Sequence, residues 1–494
     1  MLTTSKSLYY TTAIRNLEKL ATEQFNISQE TLMQRAGFAA FRELRRKWPH
    51  ANNIVVVCGK GNNGGDGYVL AHYAQAAGFE PLVLTLADPD KLTGVARAAY
   101  EGCVSAQVKI LPFTPEKLKT ADAIVDAIFG IGLSGSASND YASAISAINS
   151  AAKPVLAIDI PSGLEADTGV ALGEAVRANL TVTFIGNKVG LYISEGIEYS
   201  GEVICDDLDL PGEAFAAIPA TLNILELTEL LLQFPQRKST ANKGNFGHLL
   251  AVGGDHGMSG AVRMAAEAAA RVGAGVVTVA TRPEHILGIN ISRPELMCHG
   301  IKYSLQLMPL LKRATVVVVG PGIGTSLWGK SLWWLAVKSK KPIILDADGL
   351  NILAKKTRRR DNWILTPHPG EAARLLKTSV AKIQADRIAA AKKIQQKFGG
   401  ICVLKGAGTI IAGPTQTISV CVYGNPGMAS GGMGDVLSGV IGGLVAEGLA
   451  LEVAACLGVC LHAFAGDLVA KEYGKEGMLA MDLIPVVREL ISRR

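Results

Sequence analysis

Ile54-Val55-Val56-Val57-Cys58-Gly59-Lys60-Gly61-Asn62-Asn63-Gly64-Gly65-Asp66-Gly67 sets a run of β-branched residues directly before a glycine-dense turn. An uninterrupted apolar run of this length reads as a strand buried on both faces, as in a parallel sheet. The turn then lies at the strand's carboxyl end, where open α/β sheets gather their ligands. Outward from this stretch, short apolar runs at 81–86, 108–111, 123–127, 155–159 and 180–184 alternate with amphipathic segments. Two helix-like segments come first, the second opening at Ser28 as an N-cap. The alternation predicts a doubly wound, Rossmann-like parallel sheet.

The strand rhythm fails between 206 and 228, in Leu210-Pro211-Gly212-Glu213 and Ile218-Pro219-Ala220, and a linker is expected there. A boundary near residue 215 divides the chain into 1–215 and 216–494. Beyond it, strands are expected at 249–253, 275–280, 315–319, 342–346, 363–366 and 401–404, with long helical patterns at 260–272 and 380–398. The second half is therefore another α/β layer structure. A length of 494 residues exceeds what one hydrophobic core organises, in keeping with two large domains.

Composition excludes several classes. With 49% hydrophobic and 19% charged residues the chain is an ordered α/β protein rather than a disordered one. Lys and Arg number 49 against 43 Asp and Glu, and a net charge of +6 spread over this length makes no nucleic-acid-binding field. The basic run Lys355-Lys356-Thr357-Arg358-Arg359-Arg360 reads as a solvated turn. The eight cysteines form no CxxC pair and fall in apolar runs, so buried thiols in a reducing, cytoplasmic compartment are expected. No signal peptide is evident, and the apolar stretch 436–461, interrupted by Glu447 and Glu452, reads as buried helices rather than a membrane span.

Chemistry concentrates in two places. Asn425-Pro426-Gly427-Met428-Ala429-Ser430-Gly431-Gly432-Met433-Gly434-Asp435 precedes an apolar helical stretch. Small residues there let backbone N–H groups and a helix dipole face a phosphate, and Asp435 at the lip can take a proton from a hydroxyl. Its bland alternative is a helix cap. Gly253 to Gly260, Gly320-Pro321-Gly322-Ile323-Gly324, Thr366-Pro367-His368-Pro369-Gly370-Glu371 and Lys405-Gly406-Ala407-Gly408-Thr409 each follow an apolar strand and converge on the same side of the sheet. This layout resembles the ribokinase-like small-molecule kinases. His368 is either a ligand contact or a turn-stabilising group, and Lys405 either bridges phosphates or is merely exposed.

In the first half, Gly59-Lys60-Gly61-Asn62-Asn63-Gly64 satisfies the dinucleotide fingerprint, with Asp88 at the right remove. Asn62, Asn63 and Asp66 are polar groups that a bare pyrophosphate loop does not need. Asn63, Asp126 and Ser162 offer hard oxygen ligands to a cation, and the 130–136 loop offers N–H groups to a phosphate. Asp159-Ile160-Pro161-Ser162-Gly163 and Asn187-Lys188-Val189-Gly190-Leu191 mark further strand ends.

On Gly61 to Gly67, Asp126-Ala127-Ile128-Phe129-Gly130-Ile131-Gly132-Leu133 and Asp159 to Gly163, residues 1–215 resemble the NAD(P)H-hydrate epimerases. The resemblance implies that Asn62, Asn63, Gly64, Gly65 and Asp66, with Gly130, Ile131, Gly132, Leu133, Ser134, Gly135 and Ser136, hold the hydrated nicotinamide nucleotide. Tyr141 and Asp159 would also touch it, and Asn63, Asp126 and Ser162 would hold K⁺. Asp159 is the candidate proton carrier. From Lys243 onward the chain resembles the ADP-dependent NAD(P)H-hydrate dehydratases, which are ribokinase-like. Asn242 departs from the histidine usual in that family. Here the resemblance implies that Ala261, Gly322, His368 and Asp435 contact the hydrated cofactor, while Lys405, Gly406, Ala407, Gly408, Thr409 and Gly434 bind the adenine nucleotide with Mg²⁺. Asp435 would activate the ring hydroxyl toward ADP, and loss of phosphate would restore the double bond. The two halves together predict repair of both epimers of NADHX and NADPHX. The rival reading is an NAD-dependent dehydrogenase fused to a ribokinase-like kinase. Expected partners are these small molecules and further copies of the chain, with neither nucleic acid nor membrane.

Overall fold

The computed structural model describes residues 6–132, 135, 139–415 and 417–493. Contacts divide the chain into two compact units, Met1–Asn223 and Ile224–Arg494, so the change of unit falls a little beyond residue 215.

The first unit contains a seven-stranded parallel sheet in the order Lys109–Pro112, Glu80–Thr85, Asn53–Cys58, Ala123–Ala127, Val155–Ile158, Leu180–Phe184, Glu202–Asp206. The chain winds one way from Asn53–Cys58 and the other way from Ala123–Ala127. The crevice of a doubly wound sheet therefore opens beyond the carboxyl ends of these two strands. Ser28 caps its helix as expected, accepting from the Thr31 N–H at 3.1 Å. Three details depart from the sequence reading. The glycine-dense segment is the opening of the helix Asn62–Ala76 rather than a free turn. A Cβ on Gly67 would stand 2.5 Å from the Ala127 Cβ, so this helix packs against the sheet at near backbone contact. The strand expected at 155–159 ends at Ile158, because Asp159 turns into the left-handed region with φ 67°. Glu202–Asp206 was missed, being a half-polar edge strand with no continuous apolar run.

In the second unit, Met297–Gly300, Val276–Thr281, His248–Val252, Val316–Val319, Ile343–Leu345, Trp363–Leu365 and Ile401–Leu404 run parallel in that order. Thr409–Ala412 and Ile418–Cys421 then add an antiparallel hairpin that the sequence reading did not foresee. The helical pattern at 380–398 is broken into Val380–Ala385 and Arg387–Phe398. Asp386 leaves helical geometry and caps the second helix through the Ala389 N–H at 2.8 Å.

Ser259–Val272 and Met433–Ala446 cross at Gly439, where a Cβ would lie 2.1 Å from the Ala265 carbonyl oxygen. Behind them Leu451–Tyr473 is long and apolar enough to cross a membrane, but it is mostly buried within the protein, with Leu457 and Leu461 in the core.

Overpacking this crossing should be costly. Gly439→Val is expected to destabilise the second unit by about 2 kcal/mol or more. Gly288→Ala, whose new methyl meets nothing within 4 Å, should be neutral or mildly stabilising. Urea unfolding of the two variants checks this difference.

Candidate functional sites

A cavity of about 610 Å³ lies in the first unit at the point where the strand order reverses. Asn62, Asn63 and Asp66 enter it from the helix Asn62–Ala76, and Phe129, Gly130, Ile131 and Gly132 from the segment after Ala123–Ala127. Tyr141, whose ring lies 4.7 Å from that of Phe129, Asp159 and Lys188 complete the polar wall. Gly64 and Gly65 do not line the cavity: they are buried against the Gly59 backbone and the Met33 side chain. Gly135 is exposed, and Leu133, Ser134 and Ser136 lie outside the described residues.

Asn63 is buried with neither end of its carboxamide hydrogen-bonded. Such an orphan costs about 1–3 kcal/mol and is expected where a ligand supplies the missing partner. Behind it the fully buried Asp126 accepts from the Ser162 hydroxyl at 2.6 Å, the Ser162 N–H at 2.8 Å and the Ile128 N–H at 3.2 Å. Burial pushes this carboxyl up to about 6 in spite of those hydrogen bonds. Ser162 Oγ also accepts from the Phe129 N–H at 2.9 Å, so the two groups stand beside the Phe129-Gly130 backbone that faces Asn63. An orphaned amide oxygen, a hydroxyl and a buried carboxyl without an ion-pair partner among the described residues fit a monovalent cation.

Lys188 received no role from the sequence, although a lysine inside the apolar run 184–191 was a usable signal. It is 1% exposed and donates to Asp159 Oδ1 at 2.5 Å and to the Phe184 carbonyl at 2.6 Å. Its backbone is fixed by parallel pairing with the short strand Ser7–Tyr9. Thr183 adds a weaker bond to Asp159 Oδ1 at 3.3 Å. A Cβ on Gly130 would lie 3.3 Å from both Asp159 Oδ2 and Asn63 Oδ1, so these two groups meet at the floor of the cavity.

In the second unit Asp467 clamps the start of the glycine-rich turn, accepting from the Gly424 N–H at 2.8 Å and from Asn425 Nδ2 at 2.9 Å. The turn ends at Gly432, with φ 92°, which opens Met433–Ala446. Asp435 thus stands inside the first helical turn rather than ahead of it. Two strand ends meet it there. Asp346, after Ile343–Leu345, accepts from Lys405 Nζ at 2.9 Å and from the Ser438 hydroxyl at 2.6 Å. Glu371 lies 3.9 Å from the same ammonium. Burial and the Asp346 charge push Asp435 up to about 7 against the pull of Lys405. Burial also raises Glu371. Lys405 is raised too: Asp346 and Glu371 outweigh the burial that opposes its charge. His462, buried on Leu451–Tyr473, is pushed down to about 4 by burial and Lys405 and is neutral. Three carboxyls thus share one ammonium. The sequence reading gave roles only to Asp435 and Lys405 among these groups: Glu371 closed the 366–371 motif and Asp346 ended an expected strand, and only the fold brings their carboxyls to Lys405.

His368 caps Pro369–Leu376, its Nδ1 accepting from the Gly370 N–H at 3.0 Å, while the ring stays half-exposed and open to a ligand. Ala261 and Gly322 are neighbours, a Cβ on Gly322 lying 3.2 Å from that of Ala261. The strand ends beside them are tied by the Asp255 N–H to the Gly322 carbonyl at 2.6 Å. Gly406 and Ala407 are exposed, and the Thr409 hydroxyl closes their loop onto the Gly406 carbonyl at 3.0 Å. Gly434 sits where a Cβ would be 3.0 Å from Lys405 Nζ, which brings the nucleotide set and the acid set together. Asn242 caps the turn Lys243–Phe246, accepting from the Gly244 N–H at 2.9 Å.

Comparison with known proteins agrees with this division. Residues 249–488 match the family described as NAD(P)H-hydrate dehydratase, and residues 29–190 match the YjeF-related protein N-terminus. A ribokinase-like superfamily protein from Enterococcus faecalis superposes with a TM-score of 0.52 at 27% identity, covering 55% of this chain and 96% of its own. An ADP/ATP-dependent NAD(P)H-hydrate dehydratase from Bacillus subtilis, co-crystallised with ATP and Mg²⁺, gives a TM-score of 0.48 at 26% identity, covering 54% of this chain and 97% of its own. The bifunctional NAD(P)H-hydrate repair enzyme of Coxiella burnetii is 50% identical over 98% of this chain and 99% of its own length. With both site architectures and that identity across its length, the chain belongs to the family of bifunctional NAD(P)H-hydrate repair enzymes.

Proposed function

We propose that the first unit interconverts the R and S forms of NADHX and NADPHX, and that the second dehydrates the S form with ADP, giving NAD(P)H, AMP and phosphate. The observation that carries this reading is Asp435 in the first turn of a helix behind a glycine-rich turn, with a carboxyl that titrates near neutrality. Such a group is ionised often enough at neutral pH to accept a proton and basic enough to hold it. Asp435 takes the proton of the ring hydroxyl as its oxygen attacks the β-phosphorus of ADP, and the bond to AMP breaks. The ring then expels phosphate and gives up the neighbouring C–H proton, which restores the double bond. Phosphate is a far better leaving group than hydroxide. Lys405, held charged beside Asp346, places one positive charge where the transferring group gathers negative charge. The surplus of carboxyls there fits a divalent cation, and bound Mg²⁺ would screen the phosphates.

In the first unit Asn63, Asp126 and Ser162 would hold K⁺, which when bound compensates the buried Asp126 charge. Asp159, oriented through one oxygen by Lys188, turns the other toward the floor of the cavity, where it can move a proton at the ring hydroxyl. The dehydrogenase reading leaves the orphaned Asn63 carboxamide without a use, since a pyrophosphate loop binds through bare backbone. The whole proposal is tested by giving the protein a mixture of both NADHX epimers with ADP and following the absorbance of the reduced coenzyme. Complete recovery is expected. Recovery of only the S fraction would remove the epimerase, and none would remove the dehydratase.

Asp435→Ala should lower dehydration by about 10³-fold or more while epimerisation continues. Because a base works only when deprotonated, the dehydration rate of the unsubstituted protein should fall about tenfold per pH unit below about 7, visible in a kcat profile. Asn63→Ala should abolish the response of the epimerisation rate to added K⁺, measured against Na⁺ at constant ionic strength.

A further inference from the structure

The cavity of the first unit holds an acid that the reactions above leave unused. Glu18 lies on the helix Thr11–Gln24, ahead of the residues 29–190 that match the family, and lines the cavity that Asp159 and Lys188 also line. The helix is fastened over the site at two points. The Thr11 N–H and hydroxyl donate to the Asp167 carboxylate at 2.7 and 3.0 Å, and Arg15 Nη2 donates to the Ile131 carbonyl at 3.1 Å. The Glu18 carboxyl itself has no hydrogen-bond or ion-pair partner among the described residues. The helix gives it no ion pair: of its neighbours one turn away, Ile14, Arg15, Ala21 and Thr22, the basic Arg15 donates instead to the Ile131 carbonyl. The charged groups around the cavity are Arg15 on the same helix, Lys60 and Asp66 at the start of Asn62–Ala76, and Asp159 and Lys188 at the strand ends. Burial and Asp159 raise the Glu18 carboxyl, and Lys188 and Arg15 oppose them.

The reaction needs more than one proton carrier. Water added across an enamine places its hydroxyl on the carbon bonded to nitrogen, because that nitrogen stabilises the cation. Inversion at this carbon breaks the C–O bond with its electron pair leaving on oxygen, which takes a proton from an acid and departs as water. The nitrogen lone pair fills the vacancy. Water then adds to the opposite face and loses its proton to a base. Leaving and entering oxygens stand on opposite faces, and one carboxyl fixed beside Lys188 serves only one of them.

We propose that Glu18 is the second catalytic carboxyl of the epimerase, carrying the proton on the face that Asp159 does not reach. This rests on the epimerase reading of the cavity. Each epimer uses one carboxyl as acid and the other as base, and the reverse direction exchanges their roles, so no oxidant or further reactant is required.

The test is epimerisation of R-NADHX by the full chain without ADP, followed by chromatographic separation of the epimers. Glu18→Gln is expected to lower kcat by about 10²-fold or more with KM changed by less than about threefold, and to remove one limb of the pH profile. Glu18→Asp should regain part of the rate. Dehydration of S-NADHX and the melting profile of the same preparation should be unchanged. In heavy-oxygen water the product of the unsubstituted protein should carry the label. A Glu18→Gln variant with near-normal kcat, a rise in KM alone, or a product that keeps its original oxygen would overturn the assignment of Glu18. An unsubstituted protein that does not interconvert the epimers would instead overturn the epimerase reading itself.

Discussion

A carboxylate taken out of water is stable only if a cation or several donors accompany it. Both units are organised around that constraint. At a strand end of the first, Lys188 is paired with Asp159 at 2.5 Å; at a strand end of the second, Lys405 is paired with Asp346 at 2.9 Å. Each lysine is held in a buried or nearly buried place by its aspartate, and removing either partner would strand the other's charge. Each pair also has further acids near it, Asp66 and Glu18 in one unit and Glu371 and Asp435 in the other. One ammonium cannot neutralise all of them. The surplus carboxyls are raised toward neutrality, as a proton-moving group at physiological pH requires.

Parallel sheets deliver this arrangement because successive strands end on the same side. Residues far apart in the chain, such as Asp346 and Lys405, or Asn63 and Asp159, reach one place without any long loop. Close packing holds them there. The helix that carries Asn63 lies against the sheet at Gly67, and the helix that carries Asp435 lies against its neighbour at Gly439, so neither helix can slide without a clash. Pairing two such sites in one chain also has a chemical logic. Hydration of a flat ring gives both hydroxyl configurations, whereas a chiral pocket with one base handles one of them.

The alternation of apolar runs in the sequence was enough to place most of the parallel strands, because strands buried on both faces are written as continuous β-branched segments. It was not enough for Glu202–Asp206, a half-polar strand at the sheet edge, or for the hairpin of Thr409–Ala412 and Ile418–Cys421, whose four-residue strands are buried but too short to carry a period. The break at Asp386 was equally hidden, since its flanks keep helical periodicity on both sides.

The same division holds for chemistry. Long motifs marked Asn63, Asp126, Ser162, His368, Lys405 and Asp435, because backbone N–H groups, hard oxygens and a base must occur at set spacings when they come from one loop. Sequence by itself thus determined the fold class, the family and the loops proposed to hold the ligands. Only the tertiary structure decided which charges meet: that Lys188 holds Asp159, that Asp346 and Glu371 crowd Asp435, and that Glu18 reaches a cavity built by later residues. Those encounters depend on distance through space, which electrostatic energy obeys and chain separation does not reveal.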